Sequence, residues 1–303
     1  MNLANLASIL INIILPIVLI AAVGFTLAKK LNIEARPLSR TMMYFFTPAL
    51  IFSQTYHAKL SSDFTSIATF SIIMTILVAL TSWLLVKVLR YDQPTASAFM
   101  LGALFVNAGN YGLPLILFAF GEEGLVRAAF YFTMSAILTQ TLGIFVAAHG
   151  NANARTALVN TLKLPIVYAV MLGLFFNLAQ ITMPEPLTKA IDLAGSAAVP
   201  TMLTILGIEL ARAKIENDRA VIGMATVTKL LIAPLFAFPL AALMGLEGVT
   251  RAVCIIEASM PTAVMATIVA VEFDARPKIV TGIVFASTLG SIITLTILLG
   301  ILK

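Results

Sequence analysis

Long apolar runs alternate along this chain with short clusters of charged residues. Their lengths match the roughly 20 residues that carry a helix across a ~30 Å hydrocarbon core. They predict ten membrane helices, spans 1 to 10, over 7–28, 38–57, 64–87, 95–120, 125–148, 160–181, 188–210, 219–244, 249–271 and 278–301. Span 4 breaks the pattern. Its FVNAGNYGLP, residues 105–114, sets two asparagines, two glycines and a proline where an unbroken apolar helix is expected.

Composition agrees with a membrane protein. Of 303 residues, 60% are hydrophobic and 11% charged, with a mean hydropathy of +1.02, above the ~45–50% apolar content of soluble domains. The net charge of +5 does not point to nucleic acid, because the basic residues fall singly or in short clusters without a contiguous basic face. Cys254 is the single cysteine and there are two histidines, which leaves no internal disulfide and no zinc cluster. No basic region precedes the first apolar segment, and Lys29 and Lys30 follow it, so that segment is expected to remain as a helix rather than be removed as a leader.

Charge also orients the spans. Lys29, Lys30, Arg36, Arg40, Lys87, Arg90, Arg155, Lys163, Arg212, Lys214, Arg219, Arg276 and Lys278 fall on one side, 13 in all; Lys59, Arg127, Lys189, Arg251 and Lys303, five, fall on the other. Cytoplasmic loops carry the excess of Lys and Arg, so both termini are expected outside the cytoplasm. The nineteenth basic residue, Lys229, lies within span 8.

The two halves echo each other across HGNANARTAL, with RPLSRTMMYFFTPAL at span 2 matched by EPLTKAIDLAGSAAVPTML at span 7. A five-span unit crosses an odd number of times, so tandem copies, residues 1–150 and 151–303, sit with opposite orientation. Inverted repeats of this kind mark transporters, with binding near the midplane where corresponding helices are broken. Pro114 in NYGLP and Pro261 in EASMP lie near the middle of spans 4 and 9. Proline removes a backbone donor and clashes with the preceding turn, so both helices are expected to break at these residues. Asn110 and Glu257 each stand four positions before the proline, with Asn107 and Thr262 nearby. Freed backbone groups at that depth survive only within protein or beside a cavity, and half-helix N-termini present partial positive charge to an anion. Pro16, Pro48, Pro165 and Pro234, taken singly, read as kinks.

At NAGNYGLPL, VPTMLTILGIELA and MPTAVMATIVAVEFDARPKIVTGIVFASTLGSIITL the chain resembles the auxin efflux carrier family of membrane transporters, in its bacterial branch. The resemblance covers essentially the whole chain. It implies an all-helical fold of ten spans in two inverted five-helix repeats, with spans 4 and 9 crossing at their prolines. Spans 1, 2, 6 and 7 would form a scaffold, and spans 3–5 and 8–10 a transport unit moving like an elevator. It further implies a small organic anion as substrate, such as malonate, malate or an auxin-like acid. Homodimers would form through spans 2 and 7 in the lipid of a bacterial inner membrane. Asn107 stands seven positions before Pro114, where plant members place a carboxylate-binding asparagine. The long loop of many plant members between spans 5 and 6 is reduced to HGNANARTA. The more distantly similar bile acid sodium symporters have a sodium-coordinating glutamate where this chain has Glu257, but a glutamine where it has Pro261, which removes one sodium ligand.

The candidate substrate site is therefore Asn107, Asn110, Pro114, Pro261 and Thr262, and the candidate sodium site Glu257, Met260 and Asn110. No organic cofactor is expected; a sodium ion or proton would be the coupling ion. A charge at the bilayer centre costs roughly 2.5–3.5 kcal/mol. Glu257 is thus a proton carrier, a sodium ligand, half of an ion pair with Lys229, or a protonated packing group. Lys229 either snorkels to the interface along its stem or attracts a substrate carboxylate. Glu209 and Asp192 bracket a short charge-free stretch, so one of them is expected to be partly buried. With no catalytic aspartate pair and no HExxH, an intramembrane enzyme is not expected. A sodium symporter of bile-acid or sterol-like solutes and a non-transporting sensor remain as alternatives to an anion carrier.

Overall fold

The computed structural model describes residues 3–58, 63–147, 162–213 and 218–303. The proposed seam HGNANARTAL, and Lys59, Arg155 and Lys214 of the charge count, lie outside the described residues. Among the described residues the chain is all-helical, with no strand and a single isolated antiparallel bridge between Val106 and Thr262. Five helices are long and apolar enough to cross a membrane, over Ala4–Leu31, Phe64–Val88, Glu185–Arg212, Arg219–Leu243 and Pro277–Leu302, and Pro165–Leu178 is a shorter apolar one. Exposed Leu19, Val23, Leu80, Leu235 and Leu243 cover their outer faces, as a hydrocarbon solvent demands.

The helices are α1 (Leu3–Ile9), α2 (Leu15–Leu31), α3 (Ala35–Thr41), α4 (Thr47–Tyr56), α5 (Asp63–Val88), α6 (Gln93–Leu104), α7 (Leu113–Ala147), α8 (Pro165–Leu178), α9 (Glu185–Ser196), α10 (Ala198–Arg212), α11 (Arg219–Val227), α12 (Ala233–Leu243), α13 (Gly248–Ala258), α14 (Met265–Glu272) and α15 (Pro277–Leu302). Four π-helical turns join some of them end to end: Leu10–Ile14, Met42–Phe46, Ala108–Gly112 and Thr228–Ile232. Each is followed two residues later by a proline, Pro16, Pro48, Pro114 or Pro234. Proline cannot donate to the carbonyl four residues back and its ring crowds that carbonyl. A π turn, closed by a bond reaching five residues back, shifts the ladder so that the helix continues past the proline.

This corrects one expectation. Span 4 does not break at Pro114; the π turn absorbs that proline, and the break lies upstream, at Phe105–Asn107 between α6 and the turn at Ala108. In span 9 the break does include Pro261, between α13 and α14. Within α7 the helix is interrupted by a kink at Gly121, whose backbone (φ 64°, ψ −158°) is outside the helical region and open to glycine at little steric cost.

Close backbone approach joins α2 to α10, where a Cβ at Gly24 would strike the Thr204 carbonyl and one at Gly207 the Ala21 carbonyl. In the same way Gly173 of α8 packs on Thr55, and Gly195 of α9 on Leu50, both in α4. The connections gather at two ends of the molecule. At one, Arg212 Nη2 donates to the carbonyls of Asn32 and Ile33 (2.8 and 3.0 Å), and Arg276 reaches Thr95 (2.7 Å) and Asp218 (3.7 Å). At the other, Asn177 Nδ2 donates to the Tyr56 and Ala58 carbonyls (2.6 and 2.8 Å), Gln54 to Glu122 (3.0 Å) and Arg127 to Thr250 (2.7 Å). Both bracketing acids are partly buried: Glu209 buries Oε2 without a partner, and Asp192 accepts from Ser53 and lies 3.7 Å from His57.

Candidate functional site: the crossing of two broken helices

The two breaks meet. Asn107 N donates to the Pro261 carbonyl at 2.8 Å, and Ala263 N donates to the Phe105 carbonyl at 2.9 Å. Residues 105–107 and 261–263 thus pair as a minimal antiparallel ladder around Val106 and Thr262, which satisfies backbone groups that two interrupted helices would otherwise leave bare in a dry interior.

Polar side chains complete the crossing. Thr262, fully buried, donates from Oγ1 to the Gly102 carbonyl at 2.6 Å, and its own N–H donates to Ser287 Oγ at 3.1 Å. Lys229 donates from Nζ to the Ala103 carbonyl at 3.3 Å. Both carbonyls belong to the last turn of α6, where a helix leaves its acceptors unfilled. Asn107 stands at the N-cap of the π turn, yet its side chain makes no capping bond, and Nδ2 is buried without any partner. A primary amide with an unused, buried donor, beside the amides of a starting helix, is equipped to receive an anionic oxygen.

Glu257, near the end of α13, is 0% exposed, and neither carboxyl oxygen has a hydrogen-bond partner. It abuts the π turn of the other broken helix: a Cβ built on Gly112 would lie 2.7 Å from Oε1 and closer still to Oε2. Cys254, one turn earlier, is fully buried.

The expected residues are therefore brought together unevenly. Asn107, Pro261 and Thr262 form the crossing itself, with Met260 buried in the break. Asn110 is half-buried on the π turn beside Gly112, and Pro114 is displaced along the helix from the crossing. Two readings of Lys229 are corrected. It does not snorkel, being only 2% exposed, and it forms no ion pair with Glu257, because its partner is the Ala103 carbonyl. Ser287 was not among the expected residues; a serine inside an apolar helix, 25 positions from its partner, carries no local signal of a tertiary bond.

Two hollows lie near the crossing, although none of residues 105–107 or 261–263 lines either of them. One, of about 290 Å³, is walled mainly by apolar side chains, including Ile17, Phe25, Leu206 and Ile292, and reaches Tyr111, one turn beyond Asn107. The other, of about 310 Å³, lies between Ala35, Glu209 and Arg212 on one side and Val264, Thr267 and Thr281 on the other. Val264 is two residues past the paired Thr262, so this cleft adjoins the crossing.

Apolar helices enclosing a polar crossing of interrupted backbone define an integral membrane protein with an interior suited to a solute rather than to lipid. The chain matches the family model for membrane transport proteins over residues 9–157 and 152–299, and it belongs to that family. An uncharacterized transporter of Methanothermobacter thermautotrophicus is 29% identical over 288 residues, covering 93% of this chain and 95% of the relative. One of Methanocaldococcus jannaschii is 24% identical over 298 residues, covering 94% and 96%. A Rhizobium meliloti protein named "Putative malonate transporter" is 26% identical over 282 residues, covering 88% and 86%.

Proposed function

We propose that this transporter carries a small organic anion, of the mono- or dicarboxylate class, by binding its carboxylate at the crossing of the broken helices. The observation that carries this reading is the buried, unpartnered Nδ2 of Asn107 at the start of a half-helix. The amide and the first backbone N–H groups of the turn supply convergent donors, and the helix end contributes partial positive charge. The name of the Rhizobium meliloti relative makes malonate the first substrate to try.

The ten helical passes form two inverted five-span repeats, with spans 1, 2, 6 and 7 as scaffold and spans 3–5 and 8–10 as the moving unit. Glycine-mediated packing of α2 on α10, and of α4 on α8 and α9, supports that grouping, and the gathering of alternate connections at two ends supports the parity. Substrate crosses by an elevator movement of the second group against the first. Dimers form through spans 2 and 7 in a bacterial inner membrane, with both termini outside.

Glu257 carries the coupling proton. Its two oxygens lie against Gly112, and neither has a hydrogen-bond partner. A proton neutralises such a carboxyl without a ligand shell, whereas sodium would need several further hard oxygen ligands. Uptake by proteoliposomes of a panel of mono- and dicarboxylates, with sodium or choline outside and with or without a pH gradient, tests the reading. It predicts saturable uptake of at least one carboxylate, driven by the pH gradient, indifferent to sodium and deprived of its pH dependence in Glu257→Gln. Uptake of none of the acids would refute an anion carrier; uptake that needs sodium would refute the coupling.

A further inference from the structure

Lys229 is a buried formal charge to which the anion site gives no task. It stands in the π turn Thr228–Ile232, is 2% exposed, and spends its ammonium on one neutral acceptor, the Ala103 carbonyl. The acceptor's position explains the choice. Half-helix α6 ends at Leu104 inside the protein, and the end of a helix concentrates partial negative charge on its last carbonyls. Each of three successive ones has a donor: Leu101 from Phe105 N (3.1 Å), Gly102 from Thr262 Oγ1 (2.6 Å) and Ala103 from Lys229 Nζ. Thr262 ties that helix end to the backbone pairing at the crossing, so the ammonium sits at the base of the same assembly.

We propose that the Lys229 ammonium is a tethered cation, filling a seat for a small monovalent cation at the C-terminal end of α6, and that the seat accepts a free primary ammonium ion once the side chain is removed. With the Leu101 and Gly102 carbonyls already filled, the Ala103 carbonyl at this buried helix end is left for a cation, and a lysine supplies one without recruitment from solution. While protonated, Lys229 places its positive charge at the base of the crossing, on the one carbonyl it reaches. This role goes beyond the anion reading but rests on it only for the link to transport; the seat itself stands on the geometry of α6.

The test needs no substrate. Cys254, the single cysteine, is buried, so a thiol-reactive fluorogenic dye reports unfolding of the purified protein. Lys229→Ala is compared with wild type and Lys229→Met in methylammonium chloride or choline chloride at equal ionic strength. Methylammonium at about ten times its Kd is expected to raise the Lys229→Ala midpoint by about 3 °C. Wild type, whose seat is filled, and Lys229→Met, whose methyl end occupies it, should not respond. A Lys229→Ala midpoint that moves no more than that of wild type overturns the proposal, as does stabilisation of wild type by sodium relative to choline at the same magnitude. If Lys229→Ala does not survive extraction in choline, extraction in methylammonium should restore a monodisperse peak, and its absence in both salts counts against the seat. A wild type that responds to no carboxylate while the amine effect holds would remove the anion reading and leave this one in place.

Discussion

Gly112 and Glu257 make a contact whose energetic consequence can be worked out in advance. The carboxyl group lies against the glycine so closely that an added methyl would overlap both oxygens, and the end of the fully buried Glu257 side chain must shift within the packed interior to make room. Overpacking of this kind costs about 1–3 kcal/mol. For a chain of this size each kcal/mol lowers the unfolding midpoint by about 2–4 °C, so Gly112→Ala should unfold about 2–12 °C earlier in the Cys254 thiol assay. The discriminating arm is a double-mutant cycle. Glu257→Ala removes the carboxyl group and opens the space the new methyl needs. In that background Gly112→Ala should be neutral or stabilising, with a coupling of at least about 1 kcal/mol. A Gly112→Ala midpoint equal to that of wild type, or destabilisation that is the same with and without the carboxyl group, would refute the placement of Glu257 against the π turn, and with it the link between that carboxyl and the crossing.

Two further outcomes follow from the same geometry. Thr262→Val keeps the side-chain volume but orphans the Gly102 carbonyl, and should destabilise by about 1–3 kcal/mol, read from the same thermal assay; a neutral result would show that the hydroxyl does not hold α6 to the crossing. On a Cys254→Ser background, Arg36→Cys and Arg212→Cys should both resist a membrane-impermeant maleimide in intact cells, since loops rich in Lys and Arg are expected on the cytoplasmic side and Arg212 bonds to Asn32 and Ile33 just before α3; labelling of either would overturn the proposed orientation.

Apolar run length and punctuating charge located span 7, at 188–210, to within a few residues of α9 and α10 from Glu185 to Arg212. Those signals are local and come from the cost of polar groups in hydrocarbon. The break in span 4 was misplaced because the cost of a proline has two remedies, interruption or a π turn, and the residues around Pro114 do not tell them apart. What decides is tertiary: Asn107 and Phe105 find backbone partners 150 or more positions away, at Pro261 and Ala263. Span 9 has no such conflict, because there the proline itself lies in the paired segment. Lys229 was hidden for a related reason. A lysine ten residues into an apolar helix is as compatible with snorkelling as with burial until the end of α6 is seen to lie within its reach.

Asn107 is the proposed anchor of the carboxylate. Calorimetric or thermal-shift titration of purified wild type and Asn107→Ala with malonate, alongside a monocarboxylate such as acetate, tests it most directly. Loss of a hydrogen bond to a charged group, about 1.5–3 kcal/mol, predicts affinity for the responding acid at least tenfold weaker in a mutant whose ligand-free midpoint stays close to that of wild type. Equal affinity in the folded mutant would place the anion elsewhere and contradict the claim.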